Sequence, residues 1–137
     1  MPPISLIELH MAAAHFPIGL LLSSAFFDAA GLLLRKPQLR ETGFWTHLLG
    51  VAAAAVTVTL GLLGNPFGAA VGEIAARVAR HRLMGISSLV IFGLLALWRL
   101  RQRNAFRGLH LLAYSLADLA GVAAVSVTGY LGAHIAG

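Results

Sequence analysis

The first long apolar run decides the fold, and residues 11–34 read MAAAHFPIGLLLSSAFFDAAGLLL. An α-helix rises about 1.5 Å per residue, so about 20 residues cross the roughly 30 Å hydrocarbon core of a bilayer. The run exceeds that length and contains a single acidic residue, Asp28. It therefore predicts a transmembrane helix.

Three more apolar runs follow, and an amphipathic stretch at residues 71–81 is expected to extend the third helix beyond the membrane. The predicted helices are about residues 10–34, 44–64, 72–101 and 109–135. Short polar connections between them make neighbouring helices antiparallel. The sequence predicts an all-α, integral membrane, up-down-up-down four-helix bundle. It is expected to be a single transmembrane domain over residues 1–137, without a close internal repeat.

The composition supports a lipid environment. Hydrophobic residues make up 58% of the 137 residues and charged residues only 11%, whereas a soluble domain is typically about a quarter charged. The absence of cysteine excludes disulfides, thiolate metal sites and covalently attached c-type haem. A secretory signal peptide is not expected, because the start lacks a basic region and the first apolar run is too long.

Basic residues predict the orientation of the bundle. Seven lie around the first and third connections: Arg35, Lys36, Arg40, Arg99, Arg101, Arg103 and Arg107. Three lie on the opposite side: Arg77, Arg80 and Arg82. Because cytoplasmic loops carry an excess of Lys and Arg, we expect a multi-pass protein of the bacterial inner (cell) membrane with both termini periplasmic. These anchors explain the net charge of +5, so the lipid bilayer is the expected partner and nucleic acid is not.

The six histidines are the most informative residues of the chain. Such residues in membrane helices usually face the bundle interior. Four are expected near the outer end of the bundle: His10, His15, His81 and His134. The other two, His47 and His110, are expected at the inner headgroup level.

Counting residues from the inner basic anchors sorts the four outer histidines into two pairs. His15 and His81 stand at one depth, and His10 and His134 stand at another. Side chains at one depth on facing helices build the haem and metal sites of helix bundles. We therefore expect His15 and His81 to be axial ligands of haem b. His10 and His134 are expected to form a second pair or to lie beside the haem edge and a quinone.

Two glycines and three arginines fit a macrocycle at this level. Gly19 and Gly85 lie one helical turn after His15 and His81, where they leave a flat wall. Three arginines lie where the carboxylate tails of a haem would meet cations: Arg77, Arg80 and Arg82. Simpler interpretations stay open, in which these side chains contact headgroups, another metal is bound, or no cofactor is present.

Asp28 and Asp118 are the two acids expected inside the membrane, in one layer of the first and fourth helices. Such acids are buried neutral or are paired. Their possible partners are Arg35, Lys36 and Arg99 by snorkelling, or hydroxyls such as Ser24 and Ser115. Two interpretations stay open: a proton path to a quinone, or a hydrogen bond that locks the two helices together.

Residues 10–20, HMAAAHFPIGL, followed by Asp28, resemble the opening motif of the DUF2231 family of predicted four-helix membrane proteins. The similarity continues through LGLLG at residues 60–64, His81, and TGYLG at residues 128–132. Met11 stands where the family usually has proline, and the stretch around His134 is shorter than the family's.

The resemblance implies the four-helix fold and marks four motif positions: His10, His15, Asp28 and His81. The family has no assigned activity. Some relatives look fused to c-type cytochrome or rubredoxin domains, which implies redox work.

Together, these features predict a membrane-embedded electron-transfer protein. It would be a b-type cytochrome or the haem-bearing subunit of a redox complex, exchanging electrons between a quinone and a periplasmic partner such as cytochrome c. An independent enzyme is not expected, whereas a subunit of a membrane oxidoreductase is compatible with the pattern. The alternatives are a cofactor-free structural or anchor subunit and a histidine-based metal-binding membrane protein, and each is compatible with an oligomer or a larger complex.

Overall fold

The computed structural model describes residues 3–64, 70–102 and 104–135. Within these ranges the chain forms four α-helices and no strand. They are α1 (Leu6–Leu33), α2 (Pro37–Leu63), α3 (Gly72–Arg101) and α4 (Gly108–Ala133). All four are long and apolar enough to cross a membrane. The predicted all-α, four-helix membrane fold is confirmed. Arg103 and most of the α2–α3 connection lie outside the described residues.

Two helices begin earlier than the hydropathy pattern predicts. α1 begins after Ser5, which forms a capping box with Glu8, and this supplies hydrogen-bond partners for the exposed N–H groups of the first turn. α2 begins at Pro37, about two turns before the apolar run, because proline suits the first helical position and lacks the N–H that would be unpaired there. Hydropathy reports where a helix enters lipid, whereas capping residues decide where it starts.

The distribution of side chains is that of a protein surrounded by lipid. Large apolar residues in the middle of the helices face outward, as Phe26, Leu94 and Leu116 do. Among the described residues, seven polar or charged side chains are instead buried: Ser24, Asp28, His47, Thr57, Ser88, Arg99 and Asp118. Lipid solvates alkyl groups, so the polar groups gain by turning toward one another inside the bundle.

The helices form two hairpins. α1 packs closely along α2 and α3 along α4, while the contacts of α2 with α3 and of α1 with α4 are sparser. The helices therefore follow one another around the bundle, with α1 and α3 on one diagonal. We call the end that carries the chain termini the terminal end, and the end with the α1–α2 and α3–α4 turns the hairpin end.

The two hairpins are internal repeats, related by a shift of 71 residues. GVAAAAVTVTLG at residues 50–61 aligns with GVAAVSVTGYLG at residues 121–132, with eight of twelve positions identical. The same shift takes His10 to His81 and Asp28 to Arg99. The expectation that the chain has no close internal repeat is therefore wrong, because the similarity is concentrated in α2 and α4 and is weak in α1 and α3.

The packing repeats with the sequence. A Cβ on Gly50 would lie 2.8 Å from the Leu21 side chain, and a Cβ on Gly121 would lie 2.9 Å from the ring of Phe92, the residue equivalent to Leu21. The two hairpins thus relate by a pseudo-twofold axis along the bundle. Equivalent residues of α1 and α3 meet across this axis at both ends: His10 with His81, and Asp28 with Arg99.

Candidate functional site

A cavity of about 860 Å³ lies between the four helices at the terminal end. This volume is within the range of small-molecule and cofactor sites. Three of the predicted histidines line it: His10, His15 and His81. Many of its other lining residues are small: Ala14, Ala54, Gly61, Gly85, Gly129 and Gly132. The site is therefore an apolar chamber with a few imidazoles on its walls.

Both central imidazoles are held in the same way. His10 donates from Nδ1 to the carbonyl of Thr57 at 2.7 Å, and His81 donates from Nδ1 to the carbonyl of Thr128 at 3.1 Å. A carbonyl oxygen only accepts, so Nδ1 carries the proton and Nε2 of the neutral ring is a lone-pair nitrogen. Within the described ranges, neither Nε2 has a hydrogen-bond partner in the protein.

Each imidazole reaches its carbonyl because a glycine follows the threonine by one helical turn. A Cβ on Gly61 would lie 2.7 Å from Cε1 of His10, and a Cβ on Gly132 would lie 2.9 Å from Cε1 of His81. A larger residue in place of either glycine would push the imidazole ring away from the helix that carries the carbonyl. The sequence signal for this arrangement was the repeated Thr-x-x-x-Gly, whose role the sequence analysis missed.

The pairing of the histidines differs from the depth count. The ring of His81 lies next to that of His10, with the centroids 6.0 Å apart and the planes at 85°. His15 is exposed, although it also lines the cavity. The count placed Arg99 at the membrane surface, but Arg99 is buried beside Asp28. Since His10 precedes Asp28 by the same number of residues as His81 precedes Arg99, these two histidines share a depth.

The other three histidines lie away from this pair. His134 is exposed, bonds through Nδ1 to the carbonyl of Tyr130 in its own helix, and does not line the cavity. His110 is exposed near Trp98. His47 is fully buried and donates from Nε2 to the carbonyl of Phe92 at 2.9 Å. The expected headgroup position of His47 is wrong, because α2 begins early and carries His47 about three turns into the bundle.

The predicted wall glycines and arginines divide into two groups. Gly85 and Arg82 line the cavity, whereas Gly19 is exposed and faces open space outside it. Arg77 pairs with Glu73 at 2.8 Å and donates to the carbonyl of His134 at 3.0 Å. Arg80 is exposed. No group of three or more His, Asp or Glu side chains among the described residues is arranged to hold a metal ion.

Asp28 forms a buried ion pair at the hairpin end. Arg99 holds both carboxylate oxygens of Asp28, at 2.7 and 2.9 Å, and Tyr114 donates its hydroxyl to Asp28 Oδ2 at 3.2 Å. Of the three cations expected within reach, Arg99 is the partner. The bond from Tyr114 of α4 joins α1 to α4. Asp118 is buried nearby without such partners.

The family model described as "Predicted membrane protein (DUF2231)" matches residues 7–137. No curated protein and no solved structure matches the chain.

Proposed function

This chain belongs to the DUF2231 family of predicted membrane proteins, and from the chemistry of its terminal-end cavity we propose that it is a membrane-embedded electron-transfer protein. In this proposal, a b-type haem binds between His10 and His81. The observation that carries the proposal is the pair of imidazoles on one cavity, each with a lone-pair Nε2 and a fixed Nδ1 proton.

The two rings are near enough to each other to hold one group between them. The centroids of His10 and His81 are 6.0 Å apart. Metal-bound histidines usually donate their other ring N–H to a carboxylate or a backbone carbonyl, and both of these rings donate to a carbonyl. A haem needs only these two ligands from the protein.

The cavity walls suit a flat group. A Cβ on Gly85 would make one ordinary contact, with the methyl group of Thr128 at 3.6 Å, and Gly85 itself projects no side chain into the cavity that it lines. Arg82 lines the same cavity and offers a cation to a carboxylate tail. His15 lines the cavity away from the central pair and can contact the edge of a bound group.

The protein's part in electron transfer would be to hold the haem and to keep water away from it. Haem, when bound, supplies the one-electron chemistry. His10 and His81 would both ligate its iron, and ligation by two histidines suits electron transfer rather than substrate chemistry. The apolar helices exclude water, and burial tunes the potential. With both termini outside, as the basic residues predict, the cavity lies in the periplasmic half of the membrane, near a periplasmic partner and open to a quinone from the bilayer.

A visible spectrum of the detergent-purified chain, supplied with haem, tests the proposal. We expect the reduced-minus-oxidised bands of a six-coordinate haem. His10→Ala and His81→Ala should each lose these bands, and added imidazole should restore them by filling the vacated ligand position. His15→Ala and His134→Ala are matched controls that should keep them.

The same spectra can contradict the proposal. A helical, monodisperse wild-type protein that shows no such bands after haem is supplied would refute the proposal and favour the cofactor-free anchor. Loss of the bands in His15→Ala, with His10→Ala unaffected, would instead support the pair expected from the depth count.

A further inference from the structure

A second cavity, of about 300 Å³, enters the bundle at the hairpin end between α1 and α4. Its lining on α4 runs from Leu111 to Val122, about 16 Å of helix. Half-exposed Arg40 and Asn104 line it near the hairpin-end turns, and buried Asp118 lines it deeper in the membrane. The cavity has room for several water molecules.

Among the described residues, Asp118 is the buried acid of this cavity that has no cation partner. Its residue is 6% exposed, and its Oδ1 is buried without a hydrogen-bond partner among the described residues. An ionised carboxylate buried without a partner is so costly that such a group usually takes up a proton instead. Asp28 of α1 lines the same cavity, but it already accepts hydrogen bonds from Arg99 and Tyr114.

The lining of this cavity favours a proton over a metal cation. The ionisable groups that line the cavity are Asp28 from α1, Arg40 from α2, Arg99 from α3, and Tyr114 from α4. Arg99 is occupied by Asp28, and Arg40 donates to the carbonyl of Asn104. A metal cation needs several oxygen ligands, and Asp118 is the one carboxylate lining this cavity that Arg99 does not hold. A proton needs only this one carboxylate.

The internal repeat gives an independent reason. Asp118 occupies the position equivalent to His47, which donates from Nε2 to the carbonyl of Phe92 across the bundle. A carboxylate at that position can only accept hydrogen bonds, whereas a carboxylic acid can donate as His47 does. The second hairpin has therefore replaced a permanent donor by a group that donates only when it holds a proton.

We propose that Asp118 is a proton-binding site inside the membrane, loaded and unloaded through the hairpin-end cavity. One proton from water converts the carboxylate to the carboxylic acid, and the reverse step returns it. Asp28 remains ionised against Arg99 and locks α1 to α3 and α4. Of the two acids considered for a proton path, only Asp118 is free to titrate.

Infrared spectroscopy of the haem-free protein tests this proposal without relying on the cavity at the other end. At a pH where exposed acids such as Glu73 are ionised, we expect the carbonyl-stretch band of one protonated carboxyl group per chain. The band should shift in D₂O, which shows exchange with water, and should disappear in Asp118→Asn. Glu73→Gln, which changes an exposed acid, should leave it unchanged.

Isotope labelling removes any dependence on how well the variant folds. Asp28 and Asp118 are the only aspartates of the chain, so ¹³C-aspartate shifts the band in the wild-type protein if an aspartate is its source. An absent band in wild type, a band unchanged in Asp118→Asn, or a band unmoved by the label would overturn the proposal. Loss of the band on adding sodium or potassium at constant pH would also overturn it, in favour of a cation site.

Discussion

Replacing Arg99 with glutamine should destabilise the bundle strongly, because this arginine joins all four helices. Its guanidinium group is 1% exposed and donates to Asp28 of α1 at 2.7 and 2.9 Å. It also donates to the Tyr114 hydroxyl of α4 at 2.8 Å and to the Arg40 carbonyl of α2 at 3.3 Å. In Arg99→Gln, Asp28 becomes a buried carboxylate without a counter-charge.

The magnitude follows from that uncompensated charge. Removing one partner of a buried ion pair costs about 3–5 kcal/mol of unfolding free energy. Asp28→Asn should cost a similar amount, since it leaves the guanidinium group unpaired. The double variant Asp28→Asn/Arg99→Gln buries no charge at all. It should therefore be more stable than the sum of the two single effects predicts, by about 0.5–3 kcal/mol.

Reversible unfolding in mixed micelles, followed by circular dichroism, measures these differences. Arg101→Gln is the matched control, because Arg101 is exposed two residues away and its loss should change stability by no more than about 0.5 kcal/mol. The reasoning fails if Arg99→Gln is no more harmful than Arg101→Gln, or if the effects of the two single substitutions simply add.

Three further predictions use the same unfolding assay. Gly61→Ala should cost about 1–3 kcal/mol by displacing the His10 ring, whereas Gly85→Ala, whose Cβ would make only an ordinary contact with the Thr128 methyl group, should be neutral or slightly stabilising. Equal effects would contradict the glycine contact. His47→Leu should cost about 0.5–1.5 kcal/mol because it removes the cross-bundle hydrogen bond to the Phe92 carbonyl, and the exposed His110→Leu should cost little. The reverse order would contradict the buried position of His47. Ser5→Ala should lower the free energy of unfolding by about 0.5–2 kcal/mol because it removes the N-cap of α1. An unchanged free energy of unfolding would show that the first turn of α1 does not contribute to the measured transition.

The site residues were recognisable from residue type, but their partners were not. Imidazoles and carboxyls stand out in apolar helices because lipid solvates them poorly, and this singled out His10, His81, Asp28 and Asp118. Choosing His15 as the partner of His81 required Arg99 to lie at the membrane surface. Arg99 is instead buried, because a carboxylate on another helix was near enough to pair with it.

The internal repeat was readable in the sequence, yet its meaning depended on the structure. The two copies of Gly-Val-Ala-Ala and Thr-x-x-x-Gly are visible in α2 and α4. Each Thr-x-x-x-Gly receives an imidazole from the preceding helix, and that contact joins residues 47 positions apart in each hairpin. Small residues repeated in membrane helices are usually explained by close packing of the helices, so the pattern alone did not indicate a contact site for a histidine side chain.

The lengths of the apolar segments and the distribution of charges were enough to predict four membrane-crossing helices. A bilayer has a nearly fixed thickness, so the sequence alone shows whether a segment is long and apolar enough to cross it. The rotation and depth of each helix depend on contacts with three others at once. Only the tertiary structure therefore decided that His10 faces His81, that Arg99 binds Asp28, and that Asp118 keeps a buried oxygen without a partner.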